Sequence, residues 1–330
     1  MKISLRSWNL SVIFAFVFGG LGVAAFNYYV DPYEIFNQPY LRSGYSVNER
    51  YRKVEHLLNI EQHYDGFIMG SSVMGLFDPA HASLDSGLSY YNLSFLAGTP
   101  HEALQTLRAL KTKEILPKEI LFGLDFFTFY ELDKATTPLT TMHPLVTGAS
   151  RTSFYLDYLF SSGLWQGLSR IEHHLAKQPD IFFNVDGDGT YRLYGYERRI
   201  KDDHDAFIKS KFAPSTNTPA NVIWVPERFA EFEAFSHWLD DNNIHARFFI
   251  HPLYKDSLNT VSSKSYDEFV SRVRAIRSDV VDFSGTDCVT HNPFWYYDKH
   301  HYQPVVANKI INVLFMPNGK RVKLEDLCSE

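Results

Sequence analysis

Asp65-Gly66-Phe67-Ile68-Met69-Gly70-Ser71-Ser72-Val73-Met74-Gly75 decides how the rest of the chain is read. Phe67, Ile68 and Met69 form a short apolar run bounded by glycines, which predicts a buried strand. Gly70, Ser71 and Ser72 then break the run into a tight turn of small residues. A serine at the C-terminal end of a strand, just past a glycine, stands where open α/β sheets present reacting groups. Ser72 is therefore a candidate nucleophile. The alternative is a plain strand-to-loop turn whose two serines only hydrogen-bond backbone.

Outward from this stretch, strands and helices alternate. Val47 to His63 predicts a helix, with Val54, Leu57, Leu58 and Ile60 on one side and Arg50, Arg52 and Lys53 opposite. The three cations are expected on a solvated or membrane-facing surface. Ser89 to Leu93 predicts a second strand. Thr99-Pro100-His101-Glu102 is a helix start, with a capping threonine, proline at the first helical position and a glutamate closing a capping box. That helix is expected to reach Lys113, and a third strand runs from Glu119 to Leu124, ending at Asp125. Beyond residue 225 come a helix from Glu227 to Asp241, a strand from Ala246 to Ile250 ending at His251, a helix from Tyr266 to Arg277, a strand at Val280 to Phe283, and a last helix from Pro304. This alternation predicts a three-layer α/β/α, flavodoxin-like fold on a parallel sheet.

Residues 130–225 depart from the pattern and read as an insertion that covers or shapes the site. They hold an aromatic-rich helical stretch from Ser150 to Lys177, a hairpin around Asp186-Gly187-Asp188-Gly189, and a Pro/Thr/Asn stretch from Pro214 to Asn221.

The N-terminus carries its own signal. Lys2 and Arg6 precede an uncharged run from Trp8 to Val30, about the length that matches a bilayer core. Trp8 and Tyr28-Tyr29 fit interfacial belts, and the basic side is N-terminal. The expectation is a transmembrane anchor over residues 1–30, N-terminus in the cytoplasm, with residues 31–330 an extracytoplasmic domain. Val23-Ala24-Ala25 also offers a small-residue cleavage site, so a cleaved signal peptide is the competing reading.

Composition bounds the rest. Of 330 residues, 45% are hydrophobic and 21% charged, a globular balance. A net charge of -6 gives no footprint for nucleic acid. Cys288 and Cys328 could close one disulfide in an oxidising compartment, although sequence does not give their geometry.

The second chemical signal lies in Tyr297-Asp298-Lys299-His300-His301-Tyr302-Gln303-Pro304, just before the last helix. A carboxylate three residues from a histidine can accept from one imidazole nitrogen, fixing the tautomer and leaving the other free as a general base. A serine hydroxyl needs such a base to attack at neutral pH. An exposed turn with no chemistry is the alternative for this pair alone.

With Gly70-Ser71-Ser72 after the first core strand and Asp298-x-x-His301 before the last helix, the chain resembles the SGNH (GDSL-like) hydrolase superfamily. Within it, the chain is similar to the membrane-anchored branch that includes the D-alanyl transfer protein of teichoic-acid modification and the alginate-acetylation proteins. The resemblance covers roughly residues 48–128 and 244–316. It implies Ser72 as nucleophile, His301 as base and Asp298 as its orienting acid. It implies oxyanion donors from the Ser72 amide and from a glycine after the second strand, for which Gly98 is the candidate. Asn92 stands nearby as a structural residue or a further polar contact. The superfamily's oxyanion asparagine falls on Asp125, a departure, since an ionised carboxylate repels an oxyanion. Asp125 then is protonated, turns away, or orients another group. The resemblance further implies an acylated envelope polysaccharide or exopolysaccharide as substrate, a membrane-bound O-acyltransferase as partner, the bacterial inner membrane as location, and no cofactor.

Other motifs are weaker. The α/β-hydrolase elbow Gly-x-Ser-x-Gly is not met, because Met74 stands where the second glycine belongs. Asn184, Asp186 and Asp188 resemble half an EF-hand loop, but Gly195 occupies the position of the bidentate glutamate, so a hairpin turn is expected. Glu172-His173-His174 and His291 lack a metal-ligand spacing, and no metal is expected. His251, at a strand end on the active edge, is either a substrate contact or a satisfied structural histidine.

Overall fold

The computed structural model describes residues 5–38, 41, 44–61, 63–130, 136–161, 163–176, 180–213 and 218–315. Its strands, in chain order, are β1 (Gly66–Met69), β2 (Tyr90–Asn92), β3 (Glu119–Leu124), β4 (Phe182–Phe183), β5 (Tyr191–Arg192), β6 (His245–Ile250) and β7 (Val281–Asp282). Five of them form one sheet in the order β2-β1-β3-β6-β7, with every neighbouring pair parallel. β4 and β5 form a separate antiparallel pair.

The central strands are buried along their whole length, as continuous apolar runs require when both faces are covered. Side-chain alternation divides them between two cores. On one face Phe67, Met69, Ile120, Phe122 and Phe248 pack with the helices Pro100–Lys111, Pro226–Asp241 and Ser263–Ile276. On the other, Ile68, Leu121 and Phe249 meet the helix Pro304–Leu314, and Ala82 joins them from the helix Pro79–Ser86. Thr99 and Glu102 make the expected reciprocal capping box.

Gly70 turns the chain out of β1 at φ 135°, where a side chain would be strained. A Cβ there would also stand 2.9 Å from the Gly123 carbonyl oxygen. The turn that follows is a 3₁₀ helix, Ser72–Leu76.

Three readings change. The cations of the helix Glu49–Asn59 are not on a surface: Arg50, Arg52 and Lys53 are buried. Arg50 forks onto Glu102 at 2.7 and 2.9 Å and also donates to the Leu96 carbonyl. Arg52 donates to both oxygens of Asp186. Lys53 Nζ, fully enclosed, pairs with Glu49 at 2.8 Å and donates to the Ser94 carbonyl at 2.6 Å. The loop after β2 and the β4–β5 hairpin close over this face, a long-range event that helical periodicity does not register. The stretch from Ser150 is two helices, Arg151–Leu159 and Leu164–Ala176, rather than one. Within residues 130–225, the helices Tyr194–Asp202 and His204–Lys211 carry segments that the sequence reading leaves unassigned, and no strand among the described residues of this region joins the main sheet.

The N-terminal helix, Leu5–Val30, is long and apolar enough to cross a membrane, and most of its apolar side chains are exposed, Val30 at its end being buried. Lys2, residues 214–217 of the Pro/Thr/Asn stretch and Cys328 lie outside the described residues, so the proposed pairing of Cys328 does too. Cys288 is not a free thiol.

Candidate active site

Residues 229 positions apart meet at the C-terminal end of β1: Ser72 Oγ lies 2.9 Å from His301 Nε2. The other ring nitrogen, His301 Nδ1, lies 2.9 and 3.0 Å from the two oxygens of Asp298. Asp298 Oδ1 also accepts the backbone N–H of His300 at 2.8 Å and of His301 at 2.9 Å. A three-residue spacing thus folds the loop onto its own carboxylate.

The charge state of Asp298 fixes the direction of these bonds. Burial pushes its carboxyl up, but the hydrogen bond from His301, the charge that ring carries when protonated, and the two backbone donors outweigh it and bring it to about 2. At neutral pH the carboxylate is ionised and can only accept. Nδ1 therefore carries a proton, and in the neutral ring Nε2 presents its lone pair to the Ser72 hydroxyl. Ser72, His301 and Asp298 so arranged can remove a proton from the serine and hold the resulting imidazolium in place.

The turn carrying Ser72 is tied down from three sides. Ser71 Oγ accepts the Val73 amide. Asn92, fully buried, donates to the carbonyls of Met74 and Phe77 at 2.7 and 3.1 Å and accepts from the Ser94 hydroxyl and amide. Its amide group is saturated by the scaffold, so it is a clamp on the turn and not a donor to a bound group. Tyr191 of β5 donates its hydroxyl to the Ser72 carbonyl at 2.7 Å.

Gly98 sits where a glycine is needed, since a Cβ would stand 2.4 Å from the Gly70 carbonyl oxygen. Its amide, however, donates to the Phe95 carbonyl at 2.9 Å. The local turn Phe95–Gly98 consumes the N–H expected to face an oxyanion. The Ser72 amide, which donates to no acceptor among the described residues, is left as the backbone donor of the expected pair.

Asp125 ends β3 and is buried with no hydrogen-bond partner on either oxygen. Burial pushes its carboxyl up to about 7, while the nearby Ser71 hydroxyl, without a well-formed hydrogen bond, and the charge of His301 pull the other way. His251 Nε2 lies 3.8 Å from Asp125 Oδ1, and His251 Nδ1 lies 2.7 Å from the Tyr302 hydroxyl. Burial, and then the charge of His301, push His251 down to about 3. His251 is thus a neutral, enclosed ring beneath the site and not a wall of the cavity. It fits there because Gly123 has no side chain: a Cβ would stand 2.3 Å from His251 Nε2.

Ser72, His301 and Asp298 open into a cavity of about 660 Å³. Its other walls come mostly from the insertion: Ile181, Phe183, Tyr191, Leu193, Tyr196 and Arg199. Sequence reasoning places this region over the site without naming these residues. The available signal is the turn Asp186–Gly189, which fixes a hairpin whose second strand begins at Tyr191.

The turn itself is built from side chains: Asn184 Nδ2, the Thr190 hydroxyl and the Thr190 amide all donate to Asp188 Oδ1. His173 stacks on Tyr45 with ring centroids 3.8 Å apart, and His291 lies 3.4 Å from Asp287. Neither meets the site described above. No protein-family model matches the chain, and no curated protein matches it.

Proposed function

We propose that this chain is a serine-dependent O-acyltransferase or ester hydrolase of the SGNH type, on a three-layer flavodoxin-like fold held at a membrane by its N-terminal helix. The single observation that carries the reading is the hydrogen-bonded series Ser72–His301–Asp298 opening into a cavity at the C-terminal end of β1. The strand order β2-β1-β3-β6-β7 agrees with the fold, since it is the 2-1-3-4-5 order of flavodoxin-like sheets.

In this reading Ser72 Oγ attacks the acyl carbonyl carbon as its proton passes to His301 Nε2. The carbonyl π pair moves to oxygen, and the oxyanion meets the Ser72 amide. Collapse expels the alkoxide leaving group, which takes the proton from His301, and leaves the acyl group on Ser72. A sugar hydroxyl or water, deprotonated by His301, then releases it. Asp298 stays ionised throughout and stabilises the imidazolium. The substrate class is an acylated envelope polysaccharide or exopolysaccharide, with a membrane-bound O-acyltransferase as donor partner. The N-terminus is cytoplasmic and the domain faces outward at the bacterial inner membrane. The substrate class, partner and bacterial inner membrane follow the family resemblance, and the orientation follows the basic N-terminal flank of the apolar run.

A second reading is a membrane-tethered polysaccharide-binding or assembly protein without catalysis. The observation favouring it is the oxyanion region, where the Gly98 amide is already bonded and Asp125 replaces an amide donor. A fluorophosphonate probe separates the two. The catalytic reading expects labelling of the wild type and none of Ser72→Ala. Labelling that survives the substitution, or that never occurs, sinks the nucleophile assignment.

A further inference from the structure

The helices Arg151–Leu159 and Leu164–Ala176 stand against the N-terminal helix at a height that matters. Asn27 Nδ2 donates to the carbonyls of Leu159 and Ser161 at 2.9 Å each. A Cβ on Gly167 would stand 2.5 Å from the Phe26 ring, so the two helices approach closely there. Farther along, the ring of Phe160 lies 3.7 Å from where a Gly20 Cβ would be. A hydrocarbon core of about 30 Å takes up roughly 20 residues of helix. Whichever 20 of the 26 residues of Leu5–Val30 span it, Gly20 lies about 6–15 Å inside its outer boundary at 1.5 Å per residue. Phe160, at the level of Gly20, lies inside it too.

The exposed side chains agree. Leu156, Phe160, Leu164, Trp165, Leu168 and Leu175 are 45–78% exposed. On the helix Leu164–Ala176 the polarity is inverted relative to a water-facing helix. Arg170 points inward, buried, and pairs with Glu34 at 2.6 Å. The outward arc carries leucines and a tryptophan, with Glu172 its charged member. A tryptophan beside leucines at a helix start suits the headgroup boundary.

We infer that residues 156–161 and 163–175 form a second membrane element: Phe160 dips into the outer leaflet, and the helix Leu164–Ala176 lies in its interface. The partner is the lipid surface itself. This rests on the reading of Leu5–Val30 as a membrane span and is independent of the chemistry at Ser72. It has a consequence for the cavity, whose wall resumes at Asp180. Four residues from Ala176 reach at most about 14 Å, so the cavity is held near the headgroups.

The test uses the full chain in lipid nanodiscs, with a nitroxide on single introduced cysteines: Phe14→Cys, Leu164→Cys, Leu168→Cys and Leu84→Cys. Leu84 is an exposed leucine on a different helix and reports the water side. Relaxation by oxygen, which concentrates in lipid, is compared with relaxation by a water-soluble nickel chelate. The expected result is an oxygen-to-nickel ratio several-fold higher at positions 14, 164 and 168 than at 84. An oxygen-favoured position 14 with nickel-favoured 164 and 168 overturns the second element and leaves the anchor standing. Positions 164 and 168 shielded from both reagents mean a protein surface covers them, which also overturns it. A nickel-favoured position 14 removes the anchor and the inference together.

Discussion

Asp125→Asn removes an ionisable group from a buried site where neither carboxyl oxygen has a partner. Burial raises this carboxyl from 3.8 to about 7. A gap of about 3 units corresponds to roughly 4 kcal/mol at 1.36 kcal/mol per unit. The sign follows from proton binding in the two states. Below pH 3.8 the carboxyl is protonated in both the folded and the unfolded chain, and it has no pH-linked cost. Between 3.8 and about 7 the unfolded chain releases the proton while the folded chain keeps it, so wild-type stability falls as pH rises. Above about 7 the loss levels off. Asparagine has no such dependence. Urea unfolding of the protein followed by tryptophan fluorescence is therefore expected to show Asp125→Asn more stable than wild type by about 1–2 kcal/mol at pH 5 and about 4 kcal/mol at pH 8. A difference that does not change with pH refutes the argument. So does a variant less stable than wild type at pH 8, which would mean that Asp125 is ionised and paired with a protonated His251 across their 3.8 Å gap.

Three further outcomes follow from the geometry. Asp298→Asn keeps the size of the side chain but not the ionised acceptor that selects the His301 tautomer, so the rate of fluorophosphonate labelling at Ser72 is expected to fall by about 10³–10⁴-fold. Lys53→Met strands the Glu49 carboxylate, whose partner at 2.8 Å is lost in an enclosed site; a loss of about 3–5 kcal/mol in urea unfolding is expected, partly recovered in Lys53→Met/Glu49→Gln. Gly98→Ala drives a Cβ to 2.4 Å from one backbone carbonyl oxygen and 3.1 Å from another, neither on a flexible side chain. Urea unfolding should show a cost of at least about 1–3 kcal/mol, and labelling at Ser72 should slow in the fraction that stays folded.

Much of the sheet was legible because β1, β3 and β6 are short apolar runs ended by glycine, aspartate or histidine, and the flanking helices open with a proline, as at Pro226 and Pro304, a cap, as at Ser262, or both, as at Thr99-Pro100. Ser72 and the Asp298-x-x-His301 pair were legible for a related reason: each lies at such punctuation, and the acid–base contact is local. Three things were not. The burial of Arg50, Arg52 and Lys53 depends on Asp186, Glu102 and the carbonyls of Ser94 and Leu96, which the fold brings from far along the chain. The fate of the Gly98 amide depends on a four-residue turn that closes on Phe95, and a small residue after a strand does not reveal it. The cavity walls at Leu193, Tyr196 and Arg199 belong to segments whose role appears only when the β4–β5 hairpin lies across the site.

The Tyr191 hydroxyl on the Ser72 carbonyl spans 119 positions, and the Ser72–His301 contact spans 229. A chain is made from its N-terminus, so Ser72 is synthesised before its brace, and its brace before its histidine. The serine stays an ordinary alcohol until His301 has been added. In the catalytic reading it gains a base only after the insertion that walls its cavity has been synthesised, so the order of synthesis alone leaves the nascent serine unactivated.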